Sequence, residues 1–376
     1  MTKIRLSKSV IGDLEIEALS KVITEGYLGM GSFVHEFEER LKKYLEAKHV
    51  ICVNSGTAAL HLALMSIGLK PGDEVLVQSL TYIASFQAIS ASGLKPVPCE
   101  VIPETCTIDL KDAEKKITER TKVIMPVHYA SRVGNLDEIY DFAKKYNLRV
   151  IEDAAHAFGN TYKGKKVGSC GDIMCFSFDG IKNITSGEGG AVVTNDDKVA
   201  QFVMDARLLG VHKDTEKRYE GQRSWEFDVT HQGYRYHMSN LFAAIGMVQL
   251  ERFEKEFKPK RQMLAKRYHA VLRDFDGILL FPNDYDEIVP HIFPIRVNGR
   301  RDGLRQYLID NNVECGIHYY PNHLLTYYGA RKGELPVTEQ IYSELLTLPL
   351  HPDLTLEEQN YVIERVKTFS SADYAD

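Results

Sequence analysis

Lys122-Val123-Ile124-Met125-Pro126-Val127, then Leu136 to Tyr146, then Arg149-Val150-Ile151-Glu152-Asp153 decide the fold of this chain. The outer two are short apolar runs of the kind that fills a strand buried on both faces. The middle one repeats apolar residues at helical spacing. Strand, helix and strand in that order make a unit that closes only as a parallel pair. Working outward, the same alternation recurs. Val50-Ile51-Cys52-Val53 is a strand and Ala58 to Ile67 an apolar helix. Glu74-Val75-Leu76-Val77 is the next strand, and Gly93-Leu94-Lys95-Pro96-Val97 leads into another. Glu15 to Ile23 and Val34 to Ala47 read as helices, the second with Phe37, Leu41 and Leu45 on one face.

The expectation is an α/β fold with a mostly parallel central sheet flanked by helices. Such sheets carry ligands at the carboxyl ends of their strands. After Gln249 the texture changes to a Lys/Arg/Glu-rich helix from Arg252 to Phe275. Shorter elements follow: Ile292 to Val297, Leu304 to Asn311 and Leu356 to Lys367. We therefore expect a large domain over 1–250 and a smaller C-terminal α/β domain over 251–376.

Composition bounds the function. The 376 residues hold 46 Lys and Arg against 52 Asp and Glu, a net charge of −6. That balance argues against a protein that lives on a nucleic-acid backbone. With 44% hydrophobic and 26% charged residues, the chain is expected to be globular rather than disordered. Its longest apolar stretches, such as Leu241 to Met247, fall far short of the ~20 residues of a spanning helix. No secretory signal is expected at the N-terminus. The six cysteines form no CxxC pair and no His cluster accompanies them, so neither a metal site nor a disulfide framework is expected. A reducing cytoplasm is the expected location.

Four segments carry groups that could do chemistry. In Asn54-Ser55-Gly56-Thr57-Ala58-Ala59 a small polar turn joins a strand to a helix N-terminus, where free N–H groups and the helix dipole attract an anion. The plainer reading is a helix cap by Ser55 or Thr57. Ile151-Glu152-Asp153-Ala154-Ala155-His156-Ala157 ends a strand on two acids and a histidine; alone it reads as a cap and an interior histidine. Phe176-Ser177-Phe178-Asp179-Gly180-Ile181-Lys182 leads, through Gly187-Glu188-Gly189-Gly190, to Ala191-Val192-Val193. A lysine held in such an apolar segment has a lowered pKa and becomes a nucleophilic amine, although a single lysine is usually a solvated one. Gly233-Tyr234-Arg235-Tyr236-His237-Met238-Ser239-Asn240 brings basic and aromatic groups to a helix start that Ser239 or Asn240 could simply cap.

Together the four match one cofactor. Pyridoxal 5′-phosphate (PLP) needs an amine for its aldehyde, a carboxylate for its pyridinium nitrogen, a stacking group and a phosphate cup. From end to end the chain resembles the DegT/DnrJ/EryC1/StrS family of sugar aminotransferases, which have the aspartate aminotransferase fold (fold type I). The likeness is carried by Gly26-Tyr27-Leu28-Gly29-Met30-Gly31, the Asn54 and Glu152 segments, Gly187 to Asn195, and Leu348-Pro349-Leu350-His351-Pro352.

The resemblance implies roles. Lys182 would bind the cofactor aldehyde and move the proton. Asp153 would pair with the ring nitrogen. Gly56, Thr57 and Ser177 would bind the phosphate, Tyr82 would stack on the ring, and His156 would lie near its phenolic oxygen. The Gly233 to Asn240 loop would reach the cofactor phosphate of a partner subunit in a homodimer. Here Arg235 stands where the family often has Asn, and His237 where it has Arg; either could make the contact, Arg235 first. Tyr27, Tyr319 and His323 would face substrate, and for Tyr319 and His323 packing between the domains is an equal alternative.

The family's acceptors are nucleotide-linked keto-sugars, with L-glutamate as donor. Ile181-Lys182-Asn183-Ile184-Thr185-Ser186-Gly187-Glu188-Gly189-Gly190 resembles the C4-aminating members. The implied acceptor is a 4-keto-6-deoxyhexose, dTDP-linked as first choice, for surface polysaccharide such as the O-antigen of lipopolysaccharide. C3 amination and a UDP or GDP carrier are the alternatives. Lys182 argues against the related dehydratases, which have His there. A non-catalytic PLP-binding regulator would retain the cofactor without turnover. The absence of an early GxGxxG argues against a dinucleotide-binding dehydrogenase.

Overall fold

Each strand–helix step in the first 206 residues adds a layer to one sheet. The structure is a computed structural model that describes residues 3–370. Helices α1 (Asp13–Glu25) and α2 (Ser32–Leu45) precede β1 (His49–Val53). Then come α3 (Gly56–Met65), β2 (Glu74–Gln78), α4 (Ile83–Ala91), β3 (Lys95–Cys99), α5 (Leu110–Lys115), β4 (Thr121–Met125), α6 (Leu136–Tyr146) and β5 (Arg149–Asp153). A small hairpin of β6 (Thr161–Tyr162) and β7 (Lys165–Lys166) leads to β8 (Ile173–Ser177), β9 (Gly190–Thr194) and α7 (Asp197–Ala206).

The strand order is β1-β9-β8-β5-β4-β2-β3. All neighbours pair in parallel except that β9 runs against both β1 and β8. Gly190, the first residue of β9, therefore lies opposite Val53 and Ser177, the last residues of β1 and β8. Pro96 and Pro98 are tolerated in β3 because it is an edge strand.

Alternation along the strands divides the core. Ile51, Val75, Val77, Ile151 and Val192 pack with α3, α4 and α7. Cys52, Phe176, Ala191 and Val193 face α2 and a later helix, while Leu76, Ile124 and Val150 face α6. Helix α3 is buried over all of Ala58–Leu64, as expected of a helix apolar on every side.

Beyond β9 lie α8 (Asp214–Tyr219) and α9 (Asn240–Arg252). The break expected near residue 251 is not a loop: a π-helical turn, Phe253–Phe257, runs α9 directly into α10 (Lys258–Leu272). A second sheet follows, three antiparallel strands β10 (Ile278–Leu280), β11 (Phe293–Val297) and β12 (Leu345–Leu348). With α10, α11 (Arg301–Asp310) and α13 (Leu356–Thr368) it builds a separate core of Leu264, Tyr268, Leu308, Leu346 and Val362. Ile4 joins that core and bridges to Val313. Helix α12 (Pro336–Glu344) lies against the first sheet's loops, its Thr338 bonded to Glu100. Among the described residues no helix is long and apolar enough to cross a membrane.

Candidate active site

The carboxyl ends of β1, β2, β4, β5 and β8 surround one cavity of about 400 Å³. Eight of the residues expected at a site line it: Gly56, Thr57, Tyr82, Asp153, His156, Ser177, Lys182 and Tyr319. The last comes from the loop after α11, so the cavity lies between the two sheets.

At one end, Ser55 caps α3 by accepting the Ala58 N–H at 3.1 Å. The cap reading of Ser55 and the anion reading of the turn coexist, because the first N–H groups of a helix have no partner within it. A Cβ on Gly56 would stand 2.8 Å from the Ser177 Cβ, and one on Gly190 2.6 Å from the Ser55 backbone. Glycine at both positions lets three strand ends close into a cup.

At the floor, β5 alternation separates its two acids. Glu152 turns away to His128 (2.9 Å) and Tyr140 (2.6 Å). Asp153 faces the cavity, its Oδ1 accepting the Ala155 N–H at 3.2 Å and its Oδ2 the Ser85 hydroxyl at 2.7 Å.

Lys182 follows a tight turn in which its N–H donates to the Asp179 carbonyl at 3.1 Å. Asn183 anchors the segment, donating to the carbonyls of Phe158 and Val289, both at 3.0 Å. Burial pushes the Lys182 amine down to about 8, against the opposing pull of Asp179 and Asp153.

His156 is 6% exposed. Ala130 N–H donates to its Nδ1 at 3.3 Å, so its proton is assigned to Nε2, which lies 3.0 Å from the Tyr319 hydroxyl. Its other face meets the His291 ring at a centroid distance of 4.4 Å. Burial and then the Lys182 charge keep His156 and His291 well below the ordinary histidine range, and hold His318 at about 4. The wall around the lysine is thus a set of neutral imidazoles. Tyr82 opens onto the cavity, 5.6 Å from the Tyr319 ring.

Four expected residues are placed elsewhere. Arg235 and His237 line a smaller depression of about 140 Å³ with Arg218 and Asp214. Their strand-like segment is held against β1 by the Asn54 N–H to the Tyr236 carbonyl at 2.7 Å. Burial and the charges of Arg235, Arg207 and Arg218 bring His237 to about 4. Tyr27 packs beside the start of α9, its carbonyl accepting from Asn240 at 2.9 Å. His323 is fully buried between Ser79 (2.7 Å) and Glu339 (3.1 Å), the packing role weighed for it. Sequence reasoning passed over His291, His318, Tyr129, Asp179 and Glu188, which also line the cavity. Asp179 and Glu188 belong to the quoted stretch around Lys182, and His318 precedes Tyr319; His291 carries no local signal.

Comparison with known proteins agrees with this geometry. Residues 9–367 match the DegT/DnrJ/EryC1/StrS aminotransferase family, and the chain belongs to that family. The spore coat polysaccharide biosynthesis protein SpsC of Bacillus subtilis is 34% identical, over 96% of this chain and 95% of its own. The aminotransferase TlmJ of Streptoalloteichus hindustanus superposes with a TM-score of 0.91 at 30% identity, over 99% and 100% of the two chains. The PLP form of the sugar aminotransferase Spr1654 of Streptococcus pneumoniae, described as putative, gives 0.89 at 31%, over 97% and 98%. The chain is a fold type I aminotransferase, and its cofactor is PLP. The residues fit that group: a cup at a helix N-terminus that a Cβ would close, a carboxylate whose two oxygens accept from Ser85 and Ala155, and a buried amine share one cavity.

Proposed function

We propose that this enzyme transfers the amino group of L-glutamate to a nucleotide-linked 4-keto-6-deoxyhexose. The first choice is dTDP-4-keto-6-deoxyglucose, giving dTDP-4-amino-4,6-dideoxyglucose for surface polysaccharide. The observation that carries the reading is Lys182, with its lowered pKa, in the cavity that Asp153 and the Gly56–Ser177 cup also line. A sugar acceptor is supported by the similarity to SpsC and to the Streptococcus pneumoniae enzyme. The C4 position rests on the likeness of Ile181 to Gly190 to the C4-aminating members.

PLP, when bound, supplies the aldehyde that takes up the amino group and a ring that stores the electron pair released at the substrate carbon. The α3 N-terminus, Thr57 and Ser177 would hold its phosphate, Asp153 its ring nitrogen and Tyr82 its face. Lys182 would hold and return the proton at Nζ; in the cofactor-free cavity burial lowers its pKa to about 8, which eases release of that proton. The neutral His156, His291 and His318 add hydrogen-bonding capacity without competing for the negative charge that Asp153 supplies.

A homodimer with shared sites completes the proposal. Leu209, Trp225, Phe227 and Val229 are exposed, Trp225 at 88%, and Leu209 and Phe227 line the same depression as Arg235. A second copy covering them would receive Arg235, whereas His237 is brought to about 4 by burial and the arginines around it. Six free cysteines support a reducing cytoplasm.

The test is single-turnover spectroscopy on the holoenzyme. L-glutamate should bleach the cofactor's visible absorbance, and dTDP-4-keto-6-deoxyglucose should restore it with a dTDP-amino-sugar seen by mass spectrometry. Restoration only by a UDP, GDP or 3-keto substrate replaces the acceptor named here. No response to glutamate removes it as the donor.

A further inference from the structure

Asp153 does not stand alone. Its Oδ2 accepts the Ser85 hydroxyl at 2.7 Å, and Ser85, in the first turn of α4, has no exposed surface. The Thr81 hydroxyl lies 3.1 Å from Ser85 Oγ. An ionised carboxylate only accepts, so Ser85 has given it its single proton, and Thr81 must be the donor to Ser85. Thr81 is held in turn. Its carbonyl accepts from Asn322 Nδ2 at 2.8 Å, and Asn322 also donates to the Ser79 carbonyl through Nδ2 (3.1 Å) and its backbone N–H (2.9 Å). Asn322 comes from the loop between the second sheet's α11 and α12 and is 1% exposed. A directed pair of hydroxyls thus runs from Thr81 through Ser85 to Asp153, and Asn322 of that loop anchors the Thr81 backbone behind it.

We propose that Ser85, with Thr81 behind it, is a positioning residue of the transamination: it fixes the rotamer of Asp153 so that the carboxylate's remaining lone pairs face the cavity. The proposal rests on the assignment of Asp153 to the cofactor's ring nitrogen. Two of the roughly four lone-pair sites of the carboxylate are taken by Ser85 and Ala155. The rest remain for a donor in the cavity. With an apolar side chain at 85, Oδ2 would lose that donor and the carboxylate the contact that fixes its rotamer toward the cavity.

The experiment uses holoenzyme carrying 15N-labelled PLP. The pyridine nitrogen resonance and the pH profile of the visible absorbance are recorded for wild type, S85A, S85T, T81V and D153A. S85A should move the resonance toward that of a neutral ring and lower kcat at least about tenfold with both KM values unchanged. S85T, which keeps the hydroxyl, should return both readouts toward wild type, and T81V should give a smaller shift of the same sign. If D153A moves the resonance and S85A and T81V do not, the role of Ser85 is wrong while that of Asp153 stands. If D153A also leaves it unmoved, the assignment of Asp153 itself fails. Should S85A not fold, the T81V and S85T readings decide the matter alone.

Discussion

Lys182 shows how one side chain's surroundings become a measurable property. Its amine is drawn below the ordinary lysine value to about 8 because folding strips water from it faster than Asp179 and Asp153 can compensate. In the cofactor-free protein that depression is a stability cost. Below about pH 8 the amine is charged in both folded and unfolded chains, and the folded chain bears the full penalty. Between about 8 and the unperturbed value of 10.5 the folded amine has lost its proton and the unfolded one has not, so stability rises with pH. Lys182→Met apoprotein is therefore expected to be more stable than wild-type apoprotein at pH 7, by up to roughly 3 kcal/mol. The difference should vanish above pH 10.5. Urea unfolding at several pH values checks this; a variant no more stable than wild type would show that the amine is already solvated. The same variant is expected to lose about 10²–10⁴-fold in turnover.

At the scale of elements, the meeting of β1, β8 and β9 makes the cup proposed for the phosphate. The antiparallel β9 lets Gly190 lie beside both Val53 and Ser177, where a parallel strand would bring its far end. Gly56→Ala puts a methyl 2.8 Å from Ser177 Cβ, a backbone-borne atom that cannot swing away. We expect a loss of about 1–3 kcal/mol in stability and weaker PLP binding, read by thermal melts and by cofactor titration of the apoprotein. Gly12→Ala, at the start of α1 where a Cβ would touch nothing, is the control. Unchanged PLP affinity in Gly56→Ala would remove the cup from the binding site. Much of this was legible locally. The strand–turn–helix spacing around Ser55 and the strand end at Asp153 are short-range patterns, and short-range patterns survive in a sequence. The direction of β9 was not, since Val192 and Val193 read alike in either direction.

For the whole molecule, the arrangement of Arg235 makes a prediction about assembly. It lies outside its own chain's cavity, next to an exposed apolar surface, so a second copy is its expected destination. If so, Lys182→Ala and Arg235→Ala subunits should complement. In a one-to-one mixture half of the dimers are hybrids, and each hybrid has one intact composite site of two. Activity should recover to about a quarter of wild type. Two inactive preparations whose mixture stays inactive would mean that Arg235 serves its own chain or neither.

The sequence alone determined the alternation of strands and helices, the family, and five residues of short local segments that line the cavity: Gly56, Thr57, Asp153, Ser177 and Lys182. Those follow from hydrophobic period and turn chemistry, which act over a few residues. Tertiary structure alone decided which distant side chains meet them. The His291 ring meets His156 from 135 positions away (291 − 156), Ser85 reaches Asp153 from 68 positions before it, and His323 is held by Ser79, 244 positions away. No local pattern encodes such pairs, because they form only when separate strand ends are brought side by side by the sheet order. Burial then fixes their charge, so the neutral histidines, the lowered lysine and the directed chain of hydroxyls behind Asp153 belong to the folded molecule and not to any segment of it.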